Sequence, residues 1–410
     1  MKARRIALKI FENGVESAFL PKELWKTTDG LNEKDRDLVR KLVYGTIRFL
    51  PSIDKSLEKF LKKPSKTPKR VKNILRLGLY EIEFLRIPAY ATVNEYTNLA
   101  PVKFKGLVNA VLRNAARKGN VEKRTSLPDW LYEMLKRDLG EGFEYFLTST
   151  LSHPLSLRSV KIPRENLKRN LSSLVECEEM KYSPWGLKCS KGRDLKGELF
   201  EEGTFTFQDE SSQMVAVALS PRKGEKILDA CGGVGTKTSH IIQVSPNSNV
   251  VYNDINEEKR KIALSNFKRM NLMPNELWSV DILKGDLSRL KSSFDKILLD
   301  APCSALGTVG KHPDVLLRLK EEDVKEKAAI QLRMMEKMWD LLKKGGTLIY
   351  SVCTVTRLET DNVVRVFVNS HDDAKIVDPF EGKYDFGFNG FGVQLLEYME
   401  GFYISKIVKV

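Results

Sequence analysis

Two cysteines each stand where an apolar, β-branched run turns polar: Cys303 after KILLDAP (296–302) and Cys353 at the end of TLIYSVC (347–353). Asp300 closes the first run, just ahead of its thiol. A similar run, EKILDAC (225–231), passes through Asp229 and opens into Cys231, Gly232, Gly233, Val234, Gly235, Thr236 and Lys237. Two more, VVYNDI (250–255) and LWSVDI (277–282), carry Asp254 and Asp281 near their ends. Such acids, thiols and a glycine turn do chemistry together only where one fold gathers the ends of the runs.

The glycines permit a tight turn and close backbone approach, and the residues that follow offer helix N–H groups. GGVG by itself fits many nucleotides, and the GxxxxGK[ST] spacing of a P-loop is absent. Asp254 lies 19 residues beyond Gly235, where an acid accepts from both hydroxyls of a ribose, and Asp281 falls near the adenine edge. The plain alternative for either acid is a strand-end turn. These positions imply an adenosine cofactor, a dinucleotide or S-adenosyl-L-methionine, and the thiols discriminate between them. Hydride transfer has no use for two thiols. Methylation of cytosine does, because carbon 5 is a poor nucleophile until a thiolate adds at carbon 6. An acid near ring nitrogen 3 then stabilises the developing charge, and a further group must help remove the carbon-5 proton. Asp300, Cys303 and Cys353 supply that set, and the residues alone leave open which thiol attacks.

The elements that position these groups read as strands alternating with helices, notably 256–271 and 321–343. This pattern implies a mostly parallel sheet covered on both faces, with ligands beyond the carboxyl ends of its strands. VQLLEY and FYISKIVKV at the C-terminus read as an antiparallel pair. The first 124 residues read as helices throughout. Asn32 caps a segment with Leu38, Val39, Leu42, Val43 and Ile47 on one face. Residues 71–87 place Val71, Ile74, Leu75, Leu79 and Ile82 on another stripe. Thr92 and Glu95 form the spacing of a capping box for a helix stopped by Pro101, and a last stripe ends at Gly119. Residues 125–202, broken by Pro128, Pro154, Pro163 and Pro184, suggest a small α+β connector with no chemical assignment.

Charge divides the chain in the same way. Residues 1–124 hold 28 Lys and Arg against 13 Asp and Glu, whereas the remainder is balanced at 40 against 41. A basic domain ahead of a neutral one implies a polyanion on the first and chemistry on the second. The loop KKPSKTPKR (62–70), leading into Lys72 and Arg76, is the local candidate for phosphate contact. The five cysteines, at 177, 189, 231, 303 and 353, are odd in number, widely spaced and without a CxxC, which argues against disulfides and against zinc. No metal is expected. MKARRIALKIFENG lacks the apolar run of a signal peptide, and no stretch reaches the ~18 apolar residues of a membrane helix, so a cytoplasmic protein acting as a monomer is expected.

At these residues the chain resembles the Nop/Sun family of RNA cytosine-5 methyltransferases, in its bacterial Sun (Fmu) branch acting on small-subunit (16S) ribosomal RNA. FTFQDESSQ (205–213), DACGGVGTKT (229–238), VYNDIN (251–256), DAPCSALGTVGKHPD (300–314), YSVCTVT (350–356) and EGFYISKI (400–407) carry the likeness. LVYGTIRF (42–49), NILRLGLYEI (73–82), VNEYTNLA (93–100) and GLVNAVLRNAAR (106–117) resemble the NusB-like domain of that branch. The resemblance implies a multi-domain chain: an all-α NusB-like RNA-binding bundle (1–124), the α+β connector (125–202) and a Rossmann-like α/β methyltransferase domain (203–410). It implies Cys353 as nucleophile, Cys303 as the thiol for product release and Asp300 as the acid on the base. Cys231 to Lys237, Asp254, Asp281 and Asp300 would line the S-adenosyl-L-methionine site, with RNA and neither DNA nor membrane as partner. The Pro302-Cys303 pair is the kind that DNA cytosine-5 methyltransferases use for attack, but the second cysteine and the NusB-like segment set that class aside. An inactive RNA-binding assembly factor would have no need of the intact thiols and acids. Departures from the family pattern fall at Val352, at Gly232 to Thr236, and at Ala305, Gly310 and Leu317, where a glycine, an arginine and a tryptophan are typical.

Overall fold

The computed structural model describes residues 2–14, 27–28, 30–85, 87–119, 121, 127–151, 154–190, 195 and 197–410. The chain falls into two units: Met1–Glu133 with Thr150–Ser152 and Val309–Leu319, and Met134–Ser149 with His153–Thr308 and Lys320–Val410. The boundary expected at 124/125 lies outside the described residues.

The first unit is helical, with helices at Lys2–Gly14, Glu33–Arg48, Leu50–Glu58, Lys69–Phe84, Ala89–Leu99 and Lys105–Lys118. Asn32 caps the second of these, its side chain accepting from the Asp35 N–H at 2.8 Å. The apolar stripes meet in one core that includes Val39, Leu42, Val43, Val71, Ile74, Leu75, Val108 and Leu112. The expected capping box at Thr92 and Glu95 does not form. The helix begins earlier, at Ala89 behind Pro88, and Thr92 donates instead to the buried Glu81 carboxylate at 2.9 Å. That buried acid also pairs with Arg4 and accepts from the Tyr96 hydroxyl, so Thr92 joins a buried polar network instead of capping a helix. Of the basic loop, Lys62, Lys63 and Lys66 are exposed, but Arg70 pairs with Glu12 and Arg76 with Asp54. These two arginines already have carboxylate partners within the unit. The Val309–Leu319 segment completes the unit: Leu317 packs on the core, and the Arg48 guanidinium donates to the Gly310 carbonyl at 2.6 Å.

The second unit holds two sheets. Strands β1 (Leu155–Ser159), β2 (Cys177–Glu179), β3 (Gly186–Cys189) and β4 (Phe205–Phe207) form an antiparallel sheet in the order β2-β3-β1-β4. Here the cysteine expectation is overturned. β2 pairs with β3 so that Cys177 faces Cys189, with Cα atoms 4.0 Å apart, and the two are joined as a disulfide. Hairpin pairing, which the spacing of cysteines along a chain does not reveal, brought them together. Cys231, Cys303 and Cys353 are free thiols.

The larger sheet comprises β5 (Lys226–Asp229), β6 (Asn249–Asn253), β7 (Glu276–Trp278), β8 (Phe294–Asp300), β9 (Leu342–Val352), β10 (Ala374–Val377), β11 (Val393–Gln394) and β12 (Tyr403–Lys409). Its order is β10-β12-β9-β8-β5-β6-β7, with β11 paired to β12. β7, β6, β5, β8 and β9 run parallel, and β12 lies antiparallel between β9 and β10. Chain order reverses between β5 and β8, which opens a crevice at their carboxyl ends. Leu299, Leu348 and Tyr350 bury one face beneath Met335, Trp339 and Phe367, while Ile227, Leu298 and Ile349 bury the other beneath Met214 and Ile241. This is a Rossmann-like sheet covered on both sides, as continuous apolar strands require. The terminal pair expected at the C-terminus joins this sheet rather than standing apart. β7 is shorter than its apolar run, leaving Asp281 in the loop beyond it.

Candidate active site

The register of β8 and β9 sets Asp300 opposite Ser351, and the Ala301 N–H donates to the Ser351 carbonyl at 3.0 Å. The chain beyond each strand then brings the sulfurs of Cys303 and Cys353 to 3.4 Å. The Gly307 N–H returns to the Cys353 carbonyl at 3.0 Å, closing the loop after Cys303 onto the end of β9. A Cβ on Gly307 would lie 1.6 Å from the Gly401 carbonyl oxygen, so only glycine permits this approach. Asp300 receives Lys237 Nζ at 2.7 Å on one carboxylate oxygen and Ser351 Oγ at 3.0 Å on the other. Cys303, Cys353, Asp300 and Lys237 thus meet at one point of the crevice.

Electrostatics distinguishes the thiols. The hydrogen bond to Cys353, burial, and the charges of Cys353 and Glu359 hold Cys303 well above the usual thiol range. The same hydrogen bond draws Cys353 below it, against burial and Asp300 and with help from Lys237. Burial works to lower the Lys237 ammonium, but Asp300, through charge and hydrogen bond, raises it overall, so it stays cationic beside the pair. The arrangement makes Cys353 the more readily ionised of the two thiols.

The neighbouring cradle is built on glycine. Gly233 and Gly235 adopt φ of 57° and 82°, and a Cβ on Gly232 or Gly235 would meet the rings of Tyr252 at 2.3 Å or Phe267 at 2.6 Å. Asp254 accepts from the Gly233 N–H at 2.9 Å and the Asn256 N–H at 2.7 Å, which fixes its carboxylate against the turn. Asp281 accepts from the Leu283 N–H at 2.9 Å in the loop after β7. Burial pushes the Cys231 thiol up, as do Asp229, Asp300 and Asp254, so this thiol is unsuited to attack.

Several residues outside the expected set hold the site. Asn253 donates to the carbonyls of Ala230 and Val280 at 3.0 and 3.1 Å and accepts from the Val280 N–H, tying three strand ends together. Arg158, from β1, is wholly buried and reaches the Thr236 carbonyl and Ser239 at 3.0 and 2.8 Å, bracing the helix that follows the glycines. This gives the connector region a supporting task that its sequence did not suggest, although an arginine within LSLRS is its one charge. Asp229 is fully buried; Thr238 donates to its Oδ2 at 2.6 Å, and its Oδ1 has no partner. Burial pushes this carboxyl up to about 7 despite the Thr238 hydrogen bond. An unmet acceptor beside a glycine turn, with a second acid at the next strand end, fits a ligand bearing a cationic head and a ribose. S-adenosyl-L-methionine is such a molecule.

Sheet, crevice and cradle define a Rossmann-like, S-adenosyl-L-methionine-dependent methyltransferase. Residues 216–408 match the family described as 16S rRNA methyltransferase RsmB/F, and residues 1–117 match the NusB family. The chain is 33% identical over 389 residues to the probable ribosomal RNA small subunit methyltransferase B of Bacillus subtilis, covering 89% of this chain and 87% of that one. In fold it is similar to the crystal structure of PH0851, with a TM-score of 0.83 at 22% identity over 100% of this chain and 98% of the other. NSun6 from Pyrococcus horikoshii, solved with SFG, gives a TM-score of 0.60 at 20% identity over 69% and 98%. The chain belongs to the RsmB/F family of 16S rRNA methyltransferases, with a NusB domain in front. It is an S-adenosyl-L-methionine-dependent rRNA methyltransferase. Among the described residues no helix is long and apolar enough to cross a membrane.

Proposed function

We propose that this enzyme methylates carbon 5 of a cytosine in small-subunit ribosomal RNA through a covalent bond between Cys353 and carbon 6. The observation that carries this reading is the 3.4 Å dithiol beside an Asp300 held by Lys237. Cys353, as thiolate, adds to carbon 6, and the electrons displaced from the ring double bond load carbon 5. Asp300 meets the ring at nitrogen 3, where negative charge gathers as sulfur adds. S-adenosyl-L-methionine, when bound in the glycine cradle, supplies the methyl group at carbon 5; that the structural neighbour NSun6 was solved with SFG supports use of this cofactor.

Bonding Cys353 to carbon removes the acceptor and the charge that keep the proton on Cys303. Cys303 then yields its proton to water, takes the one on carbon 5, and the carbon–sulfur bond breaks with its electron pair returning to Cys353. The balance is one proton released per methyl transferred. A base stacked in RNA cannot present carbon 6 to a thiol, so the target is single-stranded or flipped. We assign grip on flanking RNA to the basic helical domain, residues 1–124, and place the enzyme in the cytoplasm, where ribosomal subunits are assembled.

Cys353→Ala should abolish both methylation and covalent RNA adducts, whereas Cys303→Ala should accumulate an adduct that denaturing gels resolve. The opposite pattern would exchange the roles of the two thiols, and a Cys353→Ala enzyme that still turns over would end the proposal.

A further inference from the structure

The strands alone do not hold the thiols. Glu359, in the short turn Arg357–Glu359 after β9, is fully buried. Its Oε1 accepts from the Ser304 N–H at 2.8 Å and from Gln331 Nε2 at 3.1 Å; its Oε2 accepts from Thr354 Oγ1 at 3.3 Å and Thr356 Oγ1 at 3.1 Å. Gln331, on the Glu321–Leu341 helix, also donates to the Pro302 carbonyl at 3.0 Å and receives the Tyr350 hydroxyl at 3.0 Å. Ser304 and Thr354 share a hydroxyl contact at 2.6 Å. The residues on both sides of Cys303 and the residue after Cys353 are thus tied directly or through Gln331 to one carboxylate. No lysine or arginine pairs with that carboxylate among the described residues, although a buried acid is usually matched by a cation. Hydroxyl and amide donors satisfy it instead, so its negative charge is left to act on what lies beside it.

We propose that Glu359 is a positioning residue for the dithiol: its buried carboxylate, bonded to the chain beside both cysteines, sets the spacing of the two sulfurs and places its charge on the Cys303 side of the pair. The assignment rests on the dithiol reading above and goes beyond it by naming what divides the labour between the sulfurs. The ionisable groups facing Cys303 are Cys353, Glu359 and Tyr350; those facing Cys353 are Cys303, Asp300 and Lys237. Of these, Glu359 raises Cys303 without being among the groups that raise Cys353, so it acts on the pair asymmetrically. A displaced sulfur would cost turnover heavily, since misplacing a reacting group by an ångström costs about 100-fold.

The test compares full-length wild type, Glu359→Gln, Glu359→Asp and Cys353→Ala. Three quantities are read: turnover on RNA, cofactor affinity by calorimetry, and the pH profile of iodoacetamide alkylation at each thiol, followed by mass spectrometry. Glu359→Gln, which removes charge at constant size, should lower turnover, leave cofactor affinity unchanged and move the Cys303 profile to lower pH. Glu359→Asp, which keeps the charge and withdraws it, should hold the Cys303 profile near wild type while turnover stays low. A fall in turnover with an unmoved Cys303 profile would mark simple structural support and overturn the proposal, as would unchanged turnover. If Glu359→Gln does not fold, Thr354→Val removes one hydroxyl of the network at constant volume, and unchanged turnover there overturns the proposal equally. Turnover surviving Cys353→Ala would instead sink the dithiol reading itself, so the two failures are distinguishable.

Discussion

At the end of β5 the Asp229 carboxyl is closed off from water, and one of its oxygens meets no donor. Its pKa is raised to about 7, so folding favours the protonated form. A raised acid contributes stability that is complete below the unfolded value of about 4 and is lost as pH climbs through the folded value. Denaturant unfolding without cofactor should therefore show stability falling between about pH 4 and about pH 7, and Asp229→Asn should flatten that part of the fall by a few kcal/mol. A variant with an unaltered pH dependence would contradict the assignment. The sequence made the strand-end groups legible because an apolar run advertises where it stops: Asp300, Cys303 and Cys353 stood out for that reason. Glu359 and Gln331 did not. A lone glutamate near a turn and a glutamine on a charged helix look solvated until tertiary packing buries them.

The loop from Cys303 to Thr308 joins β8 to the closing contact on Cys353. It carries one conformational cost in plain sight: Ala305 sits at φ 60°, where an L side chain crowds its own backbone. Glycine would adopt this conformation without that cost. Ala305→Gly should stabilise the protein by up to about 1 kcal/mol, the left-handed strain relieved less the extra freedom gained by the unfolded chain. Urea titration would check this, and a destabilised variant would mean that the methyl group makes a compensating contact. The strands and the helices between them were readable from apolar runs and their spacing, since period and length survive in the sequence. The hairpin that joins Cys177 to Cys189 was not, because the partner of a short antiparallel strand is chosen in space.

For the whole molecule, the asymmetry of charge leads to a measurement. Lys62, Lys63 and Lys66 remain exposed in the basic loop after Arg70 and Arg76 are paired. If they meet RNA phosphates, replacing all three by serine should weaken RNA binding uniformly across sequences. It should also flatten the dependence of log affinity on log salt by about 2, at ~0.7 per contact to single strands. An unchanged slope would move the RNA grip elsewhere on the helical unit.

The first unit is not a continuous stretch of chain. Leu317 packs on its core, and its half-buried Arg48 donates to the Gly310 carbonyl, yet both partners lie beyond β8. During synthesis the six N-terminal helices emerge long before their last packing partner, and β5 to β8 have left the ribosome in between. The helical unit therefore cannot reach its final form until β5 to β8 of the catalytic unit have been made. Two beads on a string would let the earlier finish before any of the later exists; here the DAPC loop has already been made when the helical unit receives its last packing partner.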